Sequence, residues 1–478
     1  MSDTVFDISR AGASGPHFQD SDFPFDENKL NDWIGATNIR KRKIGLPELS
    51  EIEIVRHYTA LSKNSHGVDN GTYPLGSCTM KYNPKRNDAM ARMEGFEQVH
   101  PAQPAETMPG IWELFYRLSA HIAELMGMDH VTLQPAAGAH GELTGLMIIR
   151  RYFEHIGEKR NVVLVPDSAH GTNPASAAMA GYKCKIIPTD VQGLTDLDAL
   201  YQLLDADVAA VMLTNPSTLG LFERNIEVIA EKVHANGSML YYDGANMNAL
   251  MGIVRPGDMG FDVVHINTHK TLSTPHGAGG PGSGPVGVKS QLEPFLPKPV
   301  IKIGDYGFFP DYDRPLSIGR MKSYFGHVSV LIRAFSYILT CGASGLHIAS
   351  RNAVLNANYV QSRLSKYLPP VFDKKCMHEC LLSGELLRVD SFDFAKRLID
   401  FGLHPPTLVG AGCVYFPGDL KSAMLIEPTE TETKEALDAM IDTFLNVIDE
   451  AEINPQMVKT APHTRNVAKI SAQQRGSL

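Results

Sequence analysis

The chain has 478 residues, more than one ordinary domain uses, with 43% hydrophobic and 20% charged residues, a balance typical of a packed cytosolic protein. Its 44 Lys and Arg residues against 53 Asp and Glu residues give a formal net charge of −9, which argues against a nucleic-acid or anionic-membrane surface. The apolar stretch 331–346 is interrupted by Arg333 and falls short of the ~20 apolar residues that a bilayer requires.

The N-terminus carries Asp3 and Asp7 and lacks the apolar segment of a secretory signal peptide. Transit peptides are usually poor in acidic residues, so an organellar address is also disfavoured. These features predict a cytoplasmic location with no membrane partner.

Six cysteines in a chain of this length do not indicate a disulfide framework. Cys376 and Cys380 have His378 between them, a spacing that could suggest zinc. Because no second Cys/His pair with ligand spacing follows, we predict ordinary thiols and no metal site.

Residues 1–90 are predicted to form an N-terminal arm, because scattered Pro, Gly and Asn leave few long periodic stretches. From about residue 107 a helix pattern appears and is closed by Gly127. Further helices are predicted from Gly138, over 195–204 with Thr195 as N-cap, and over 226–235. They alternate with β-rich runs at 161–165, 184–188, 208–213, 239–242, 263–267 and 286–288. This alternation predicts a mostly parallel sheet covered on both faces, in a large domain spanning 91–335, with ligands bound at the carboxyl ends of the strands.

After about residue 335 the composition changes. Helices are predicted over 348–368, 392–401 and 431–448, and strands over 380–387 and 423–426. We interpret 336–478 as a smaller α+β domain that ends in a loosely ordered tail from Thr460.

The strongest functional signal is a pair of neighbouring strand ends. One apolar strand closes with Asp243, and the next closes with Lys270. Enzymes that use pyridoxal phosphate need both groups, since a lysine forms an imine with the aldehyde and a carboxylate keeps the pyridine nitrogen protonated. The alternative is an acid and a lysine at solvated strand ends, as in many α/β proteins. We predict that Lys270 holds the cofactor as a Schiff base.

Other strand ends point to the same edge of the sheet. The turn QPAAGAHG (134–141) opens a helix with small residues, which lets backbone N–H groups approach a phosphate, although it matches neither a P-loop nor a dinucleotide fingerprint. His170 follows the next strand and could stack on a flat ring or be a structural histidine. Residues 214–218 end a further strand and offer side chains to a ring hydroxyl.

The run HGAGGPGSGP (276–285) begins soon after Lys270. Such a density of glycine indicates backbone that lies close to a ligand or partner, or else a flexible linker. The position directly after the lysine favours the first interpretation.

Taken together, these segments resemble the glycine decarboxylase P-protein family of the glycine cleavage system, in particular the second subunit of its two-subunit form. The resemblance covers most of the chain. It is carried by YPLGSCTMKYNP (73–84), by the turn 134–141, and by segments 167–176, 242–248, 267–284 and 426–430. Ala278 inside the glycine run is a small departure, and none affects the Asp or the Lys.

The resemblance implies the fold of type I pyridoxal-phosphate enzymes, like the aspartate aminotransferases, with a mostly parallel seven-stranded sheet in the large domain. It implies that Lys270 is the Schiff-base lysine, that His170 stacks on the ring and that Asp243 pairs with the ring nitrogen. The remaining implied contacts are Thr218 and Asn246 near the ring hydroxyl, Ala137, Gly138 and Thr268 or His269 near the phosphate, and Ser77, Cys78 and Thr79 in a loop over the substrate. Lys81 and Arg320 could pair with the glycine carboxylate or be surface residues.

The implied reaction is decarboxylation of glycine with transfer of the aminomethyl group to the lipoyl arm of the H-protein. Because the chain is about half the length of the one-chain form, we expect a companion subunit 1, in an α2β2 assembly. Another fold type I decarboxylase or a hydroxymethyltransferase would share Asp243 and Lys270 but lack the segment 71–84. A non-catalytic scaffold subunit would lack the lysine.

Overall fold

The computed structural model describes residues 3–13, 15, 26–42, 44–277, 279–408, 420 and 422–464. The chain divides into two compact units, and the larger one spans Val68–Pro462. The smaller unit contains helices α1 (Glu27–Ile34) and α2 (Glu51–Ser62). All other elements below belong to the larger unit.

A seven-stranded sheet forms the centre of the larger unit. Its strands are β1 (His130–Thr132), β2 (Val162–Pro166), β3 (Lys183–Ile187), β4 (Val208–Thr214), β5 (Met239–Gly244), β6 (Val263–Ile266) and β7 (Val286–Val288), in the order β1-β7-β6-β5-β4-β2-β3. The neighbours from β6 to β3 pair in parallel, whereas β7 is antiparallel to both β6 and β1. The predicted mostly parallel sheet is confirmed, and each predicted strand overlaps an observed one.

Helices connect and cover these strands. They are α3 (Lys85–Ala91), α4 (Glu94–Glu97), α5 (Pro109–Met126), α6 (Gly138–His155), α7 (Thr172–Met179), α8 (Leu197–Leu203), α9 (Ile226–Ala235) and α10 (Thr268–Thr271). The predicted N-cap of α8 is wrong by one residue, because the Asp196 side chain, and not Thr195, accepts the hydrogen bond from Ala199 N (3.0 Å). Short 3-10 segments lie at Ala105–Thr107, Met247–Ala249, Pro256–Met259 and Ser290–Phe295.

The sheet separates two apolar layers because side chains alternate along each strand. In β4, Val211 and Leu213 belong to the layer with α5 and α9, while Ala210 and Met212 belong to the layer with α6 and α7. Every residue of β4 is buried, and full burial of a Val or Leu side chain stabilises the fold by about 1.5–3 kcal/mol. This two-sided burial fixes the strands, and the strands fix the edge at which the functional residues lie.

The remaining elements follow β7. They are the hairpin β8 (Val300–Gly304) and β9 (Gly307–Asp311), then α11 (Val328–Leu364), β10 (Cys380–Leu382), α12 (Ser391–Asp400), β11 (Thr407–Leu408), β12 (Met424–Ile426), α13 (Lys434–Ile453) and α14 (Pro455–Lys459). Strands β10, β12 and β11 form an antiparallel sheet, and this C-terminal part has its own apolar core. It is the α+β part predicted from the sequence. Most of the predicted tail, 465–478, lies outside the described residues.

Helix α11 is long and apolar enough, by length and composition, to cross a membrane. It is broken at Gly342, where φ is 60°. Leu331 before the break and Leu346 after it pack in the core around the sheet, whereas Val360 near the end of the helix packs in the C-terminal core. The boundary predicted at 335 falls inside α11, and the larger unit begins at Val68; the boundaries at 90 and 335 stay predictions.

The segment before α3 is tied to both the central and the C-terminal sheets. Leu75 pairs with Ile426 of β12, and Lys81 is buried with 2% of its surface exposed. The Lys81 Nζ donates to Glu430 Oε1 (2.7 Å), Asn248 Oδ1 (2.8 Å) and the Thr271 carbonyl (3.0 Å). Burial alone would lower the pKa of Lys81, but Glu430 and Tyr337 together raise it to about 12, so this ion pair persists across the neutral range.

Replacing Lys81 with Met should lower the free energy of unfolding by about 3–5 kcal/mol, because Glu430 would be left as a buried charge without its partner. Lys85→Met is the matched control. It breaks an ion pair with Asp69 whose side chains are 59% and 52% exposed, and should cost less than about 1 kcal/mol. Urea unfolding followed by fluorescence measures both, and equal losses would contradict the prediction.

Candidate active site

Asp243 and Lys270 lie at the same edge of the sheet. Asp243 is the penultimate residue of β5, and Lys270 lies in the short helix α10 that follows the neighbouring parallel strand β6. Both are buried, with 2% and 9% of their surfaces exposed. The imidazole of His170, which lies in the turn after β2, interacts electrostatically with both of them, so the three side chains share one site.

The Asp243 carboxylate is held by three donors. Asn173 Nδ2 donates to Oδ2 (2.9 Å), Ala245 N donates to Oδ1 (3.0 Å), and His265 Nε2 lies 3.2 Å from Oδ1. Burial alone would raise the pKa of Asp243, but the positive charge of His265 and these hydrogen bonds hold it well below the usual range. Asp243 is therefore a buried, ionised carboxylate at neutral pH.

His265 supplies the compensating charge. Burial opposes its protonation, but Asp243 raises the pKa of His265 above its ordinary value. The other ring nitrogen, Nδ1, lies 2.9 Å from the hydroxyl of Tyr241, which fixes the ring orientation. Since His265 faces Asp243 across the β5–β6 register, the sheet itself sets this distance.

The amine of Lys270 donates to the carbonyl oxygen of Ser77 (2.8 Å). This contact places the predicted substrate loop, Ser77, Cys78 and Thr79, directly against the lysine. Ser77 has a φ of 61°, an unfavourable backbone conformation for a residue with a Cβ atom. Burial raises the pKa of the Cys78 thiol, although the Lys270 charge opposes this shift, so the thiol is the stable form.

His170 is oriented by a chain of hydrogen bonds. Its Nδ1 lies 2.9 Å from Thr172 Oγ1, and Thr172 Oγ1 donates to Glu142 Oε1 (2.6 Å). Ser176 Oγ donates to the other carboxylate oxygen of Glu142 (2.9 Å). Burial, followed by the positive charge of Lys270, lowers the pKa of His170, so a neutral aromatic ring faces the site.

The start of α6 approaches its neighbours too closely for any side chain at two glycine positions. A Cβ atom on Gly138 would lie 2.4 Å from Asn267 Oδ1, and one on Gly284 would lie 2.1 Å from the Ala137 carbonyl. Ala137 is the N-cap of this 18-residue helix, whose first N–H groups and dipole favour an anion. The backbone of the later part of the glycine-rich run thus lies close to the start of α6. Ala278 lies outside the described residues.

Thr268 and His269 line the same region from α10. Thr268 is fully buried, and its N–H donates to the Ser283 carbonyl (3.1 Å). His269 Nδ1 accepts a hydrogen bond from Ser283 N (3.4 Å). Burial has the largest effect on His269, and together with the Lys270 charge it lowers the pKa of His269 to about 3, so the ring is neutral.

Thr218 and Asn246 lie near the ends of β4 and β5 and are bonded to protein groups. Thr218 Oγ1 donates to the Ser168 carbonyl. Asn246 Nδ2 donates to the Pro216 carbonyl (2.9 Å) and lies 3.3 Å from Glu379 Oε1. Their place close to a ring hydroxyl remains a prediction.

Two suggested partners of a substrate carboxylate do not lie free in this site. Lys81 is buried and its amine donates to Glu430, so the surface alternative for Lys81 is wrong and its pairing with the glycine carboxylate stays a prediction. Arg320 is exposed, with its guanidinium 5.3 Å from the centre of the Tyr312 ring. The surface alternative describes Arg320.

Acidic residues of the C-terminal part were not predicted and also reach the site. Glu379 Oε2 accepts a hydrogen bond from Ser77 N (2.6 Å), and Glu427 Oε1 accepts one from Thr79 Oγ1. Cys376 and Cys380 are free thiols, and His378 between them lies beside Glu379 and Glu427 instead. A second group with ligand atoms within 4.8 Å of one another is Glu142, Asp243 and His265.

Comparison with known proteins identifies the family. A relative from Caldanaerobacter subterraneus, named "probable glycine dehydrogenase (decarboxylating) subunit 2", is 54% identical over 98% of this chain and 95% of its own length. A relative of the same name from Bacillus licheniformis is 53% identical over 98% and 95%. The chain belongs to the glycine dehydrogenase (decarboxylating) subunit 2 family. Family models for "Glycine dehydrogenase, C-terminal domain" and "Aminotransferase class-V" match residues 349–472 and 141–296.

Solved structures place this family member in a known fold. A glycine decarboxylase P-protein of the glycine cleavage system, in an inhibitor-bound form, superposes with a TM-score of 0.74 at 20% identity, over 88% of this chain and 95% of that one. A sphingosine-1-phosphate lyase from Burkholderia pseudomallei gives a TM-score of 0.64 at 12% identity, over 90% and 96%. The predicted type I fold is confirmed.

Sequence reasoning missed several residues of this subunit 2 site, namely Glu142, Asn173, His265, Glu379 and Glu427. Signals existed for three of them. Glu142 lies one turn after Gly138 on the same helix, Asn173 lies in the segment that contains His170, and Glu427 ends an apolar strand. The contact of Glu379 with Ser77 joins residues 302 positions apart, and no local pattern predicts it.

Asp243→Asn should lower the free energy of unfolding by about 3–5 kcal/mol at neutral pH, because it breaks a buried ion pair and leaves the buried imidazole of His265 without its partner. Because the pKa of Asp243 is depressed, its contribution is present above the ordinary value of 3.8 and is lost as the pH falls below it. Asp243 also raises the pKa of His265, so in the variant the buried imidazole resists protonation, and the variant should lose stability relative to the wild type as the pH falls from 7 to about 5.

Denaturant unfolding at a series of pH values measures this slope. The control is Asp198→Asn, which removes a charge from an exposed position in the first turn of α8 and should keep the wild-type slope. An unchanged slope in Asp243→Asn would contradict the assigned ionisation.

Proposed function

We propose that this chain binds pyridoxal phosphate through Lys270, decarboxylates glycine and passes the aminomethyl group to the lipoyl arm of an H-protein. Membership of the glycine dehydrogenase (decarboxylating) subunit 2 family supports the reaction. The observation that carries the proposal is the buried amine of Lys270 beside the buried, ionised Asp243 at adjoining strand ends.

The residues fit the cofactor. Gly138 and Gly284 let the start of α6 pack closely against Asn267 and the glycine-rich run, and the first N–H groups at this positive helix end favour an anion. An ionised Asp243 can accept a hydrogen bond from a protonated ring nitrogen, and the neutral His170 ring can stack on the cofactor. Pyridoxal phosphate, when bound, supplies an aldehyde that captures an amine and a ring that accepts the electron pair of a breaking bond.

The chain supplies binding, orientation and exclusion of water. Lys270 donates to the Ser77 carbonyl, and among the described residues no carboxylate forms an ion pair with its amine. Asn173 and His265 hold the Asp243 carboxylate in one orientation, and Thr172 does the same for the His170 ring. Loss of the glycine carboxylate as CO2 removes a charge from the site, which a buried surrounding with little water favours.

Two alternatives are less well supported. Another fold type I decarboxylase or a hydroxymethyltransferase would also use Asp243 and Lys270, but it should lack the segment 71–84, in which Ser77 contacts the lysine. A non-catalytic scaffold would have no need for a buried amine beside an ionised carboxylate.

Assembly and location are parts of the proposal. The relatives are named subunit 2, which supports a companion subunit 1, and we propose an α2β2 assembly that receives a lipoylated H-protein. A cytoplasmic location is proposed from the composition alone, and cell fractionation tests it.

Lys270→Ala should abolish the absorbance band that appears when wild-type protein is mixed with pyridoxal phosphate, because the imine requires this amine. Lys289→Ala is the matched control, since Lys289 Nζ also donates to a backbone carbonyl, that of Gly127 (2.8 Å), away from the site. It should keep the band. A band that persists in Lys270→Ala would refute the assignment of the lysine.

The complete activity should require the companion. Exchange of labelled CO2 into glycine, measured with lipoylated carrier protein, should be fast for the two co-expressed subunits and very slow for this chain alone. Full activity of the isolated chain would contradict the need for a companion. Decarboxylation that does not depend on the carrier would favour another decarboxylase.

A further inference from the structure

Three buried side chains of the C-terminal part form a group that we call the acid cluster: His378, Glu379 and Glu427. His378 and Glu379 directly precede β10, and Glu427 directly follows β12, which pairs with β10 through Cys380 and Ile426. Each is at most 1% exposed. The ligand-type atoms of the three lie within 4.8 Å of one another, so the two carboxyl groups are close neighbours.

The two carboxyl groups differ in their hydrogen bonds. Both oxygens of Glu379 face donors, Ser77 N at 2.6 Å and Asn246 Nδ2 at 3.3 Å. Glu427 Oε1 accepts a hydrogen bond from Thr79 Oγ1 and lies 3.8 Å from His378 Nε2. Among the described residues, neither Glu427 Oε2 nor the ring nitrogens of His378 have a hydrogen-bond partner. Buried polar atoms without partners are rare, and a catalytic role is one explanation of them.

The acid cluster faces the lysine across one loop. Lys270 donates to the carbonyl of Ser77, and the N–H of the same residue donates to Glu379. The next residue but one, Thr79, donates to Glu427. The charge of Lys270 acts on all three members of the cluster. The cluster therefore belongs to the surroundings of the reacting amine, although the proposed reaction has so far assigned it no task.

The pair of carboxyl groups retains a proton near neutral pH. Burial raises the pKa of Glu427 to about 7, although Thr79 and Lys270 oppose the shift. Burial, followed by the negative charge of Glu427, raises the pKa of Glu379 well above its ordinary value, so the two acids share one proton. The hydrogen bonds favour Glu427 as the site of this proton, because donors face both oxygens of Glu379, whereas no donor among the described residues faces Glu427 Oε2. The other titratable groups that act on the two acids are Lys270, Lys81, Glu430 and Cys376, and both acids act on Cys78.

The proposed reaction consumes one proton. Glycine loses its carboxylate as CO2, and the electron pair left on the α-carbon forms a C–S bond with one sulfur of the lipoyl disulfide. The electron pair of the S–S bond leaves on the other sulfur, which becomes a thiolate and must take up a proton to yield the thiol. A neutral carboxyl group beside the site is a suitable source.

We propose that Glu427 is the general acid that protonates the departing sulfur of the lipoyl disulfide, with Glu379 as the ionised partner that keeps the Ser77–Thr79 loop in place. Glu427 then regains a proton from solvent before the next turnover. This inference rests on the proposed function. It assigns a task to each of the two acids of the acid cluster, Glu427 and Glu379.

The first test needs no turnover. Infrared difference spectra of the full chain between pH 6 and pH 8 should show the carbonyl stretch of a protonated carboxylic acid that is lost as the pH rises through about 7. Glu427→Gln should lack this titration, and Glu432→Gln should keep it. Glu432 is a matched control, because it lies in the same segment, is half-buried and accepts a hydrogen bond from a threonine, Thr72 Oγ1 (3.0 Å).

The second test measures transfer to lipoylated carrier by the complex with the companion subunit. Glu427→Gln should slow transfer by about 100- to 10,000-fold without loss of the cofactor absorbance, and Glu432→Gln should keep the wild-type rate. Glu427→Asp should restore part of the rate. The wild-type rate should fall above about pH 7, and this fall should be absent in Glu427→Gln.

The outcomes distinguish failure of the role proposed for Glu427 from failure of the proposed glycine decarboxylation. A wild-type transfer rate in Glu427→Gln, or an infrared titration that survives this substitution, overturns the role of Glu427. If chelator treatment of the wild type abolishes the infrared titration, the cluster is a metal site and the proposal is wrong. If the wild-type complex binds no cofactor and releases no CO2 from glycine, the proposed function itself fails, and the infrared band still shows whether Glu427 holds the proton. If Glu427→Gln does not fold, the pH profile and the spectrum of the wild type decide.

Discussion

The hydrogen-bonded ion pair of Asp243 and His265 is the interaction on which the rest of the site depends. A buried carboxylate without partners would take up a proton, and a neutral Asp243 could not stabilise a positive ring nitrogen. The parallel pairing of β5 and β6 places the two side chains opposite each other, and Asn173 and Ala245 add two further donors. The charge of the site is therefore a consequence of strand register, which the apolar layers on both faces of the sheet hold in place.

Residues from distant parts of the chain meet at Lys270. The loop Ser77–Thr79 lies between the lysine and two acids of the C-terminal part, and the nearby Lys81 joins Glu430 to the central sheet. A site built in this way depends on the C-terminal part being docked. Substitutions that weaken the Lys81–Glu430 ion pair are thus expected to affect the site as well as the fold.

Much of the fold could be predicted from the sequence because the strands of a doubly covered sheet are continuous apolar runs, and the ends of such strands carry the functional residues. The hairpin β8–β9 was not predicted, since it is partly exposed and contains Pro310, which is unusual inside a strand. Helix α11 begins well before the predicted position. The prediction stopped short because Gly342 and Gly345 interrupt the apolar pattern, although the helix continues through both glycines. Thr and Asp are both favourable N-cap residues, and apolar periodicity alone does not show which of the neighbours Thr195 and Asp196 caps α8.

The candidate site was predictable only in part. Asp243, Lys270 and His170 follow apolar strands, and that position alone indicates where they lie. The acids Glu379 and Glu427 reach the site through contacts between residues 302 and 348 positions apart, which depend on how the C-terminal part docks. Sequence patterns describe periodicity within an element, not the packing of one part of the chain on another.

The left-handed backbone at Ser77 has a mechanical consequence. A residue with a Cβ atom adopts this conformation at a cost of about 1–2 kcal/mol, and two hydrogen bonds, from Lys270 to its carbonyl and from its N–H to Glu379, restrain it from opposite sides. Any chemistry that engages the Lys270 amine removes the first restraint while the second remains. The conformational freedom of the loop therefore depends on whether the Lys270 nitrogen is available to donate its hydrogen bond to Ser77.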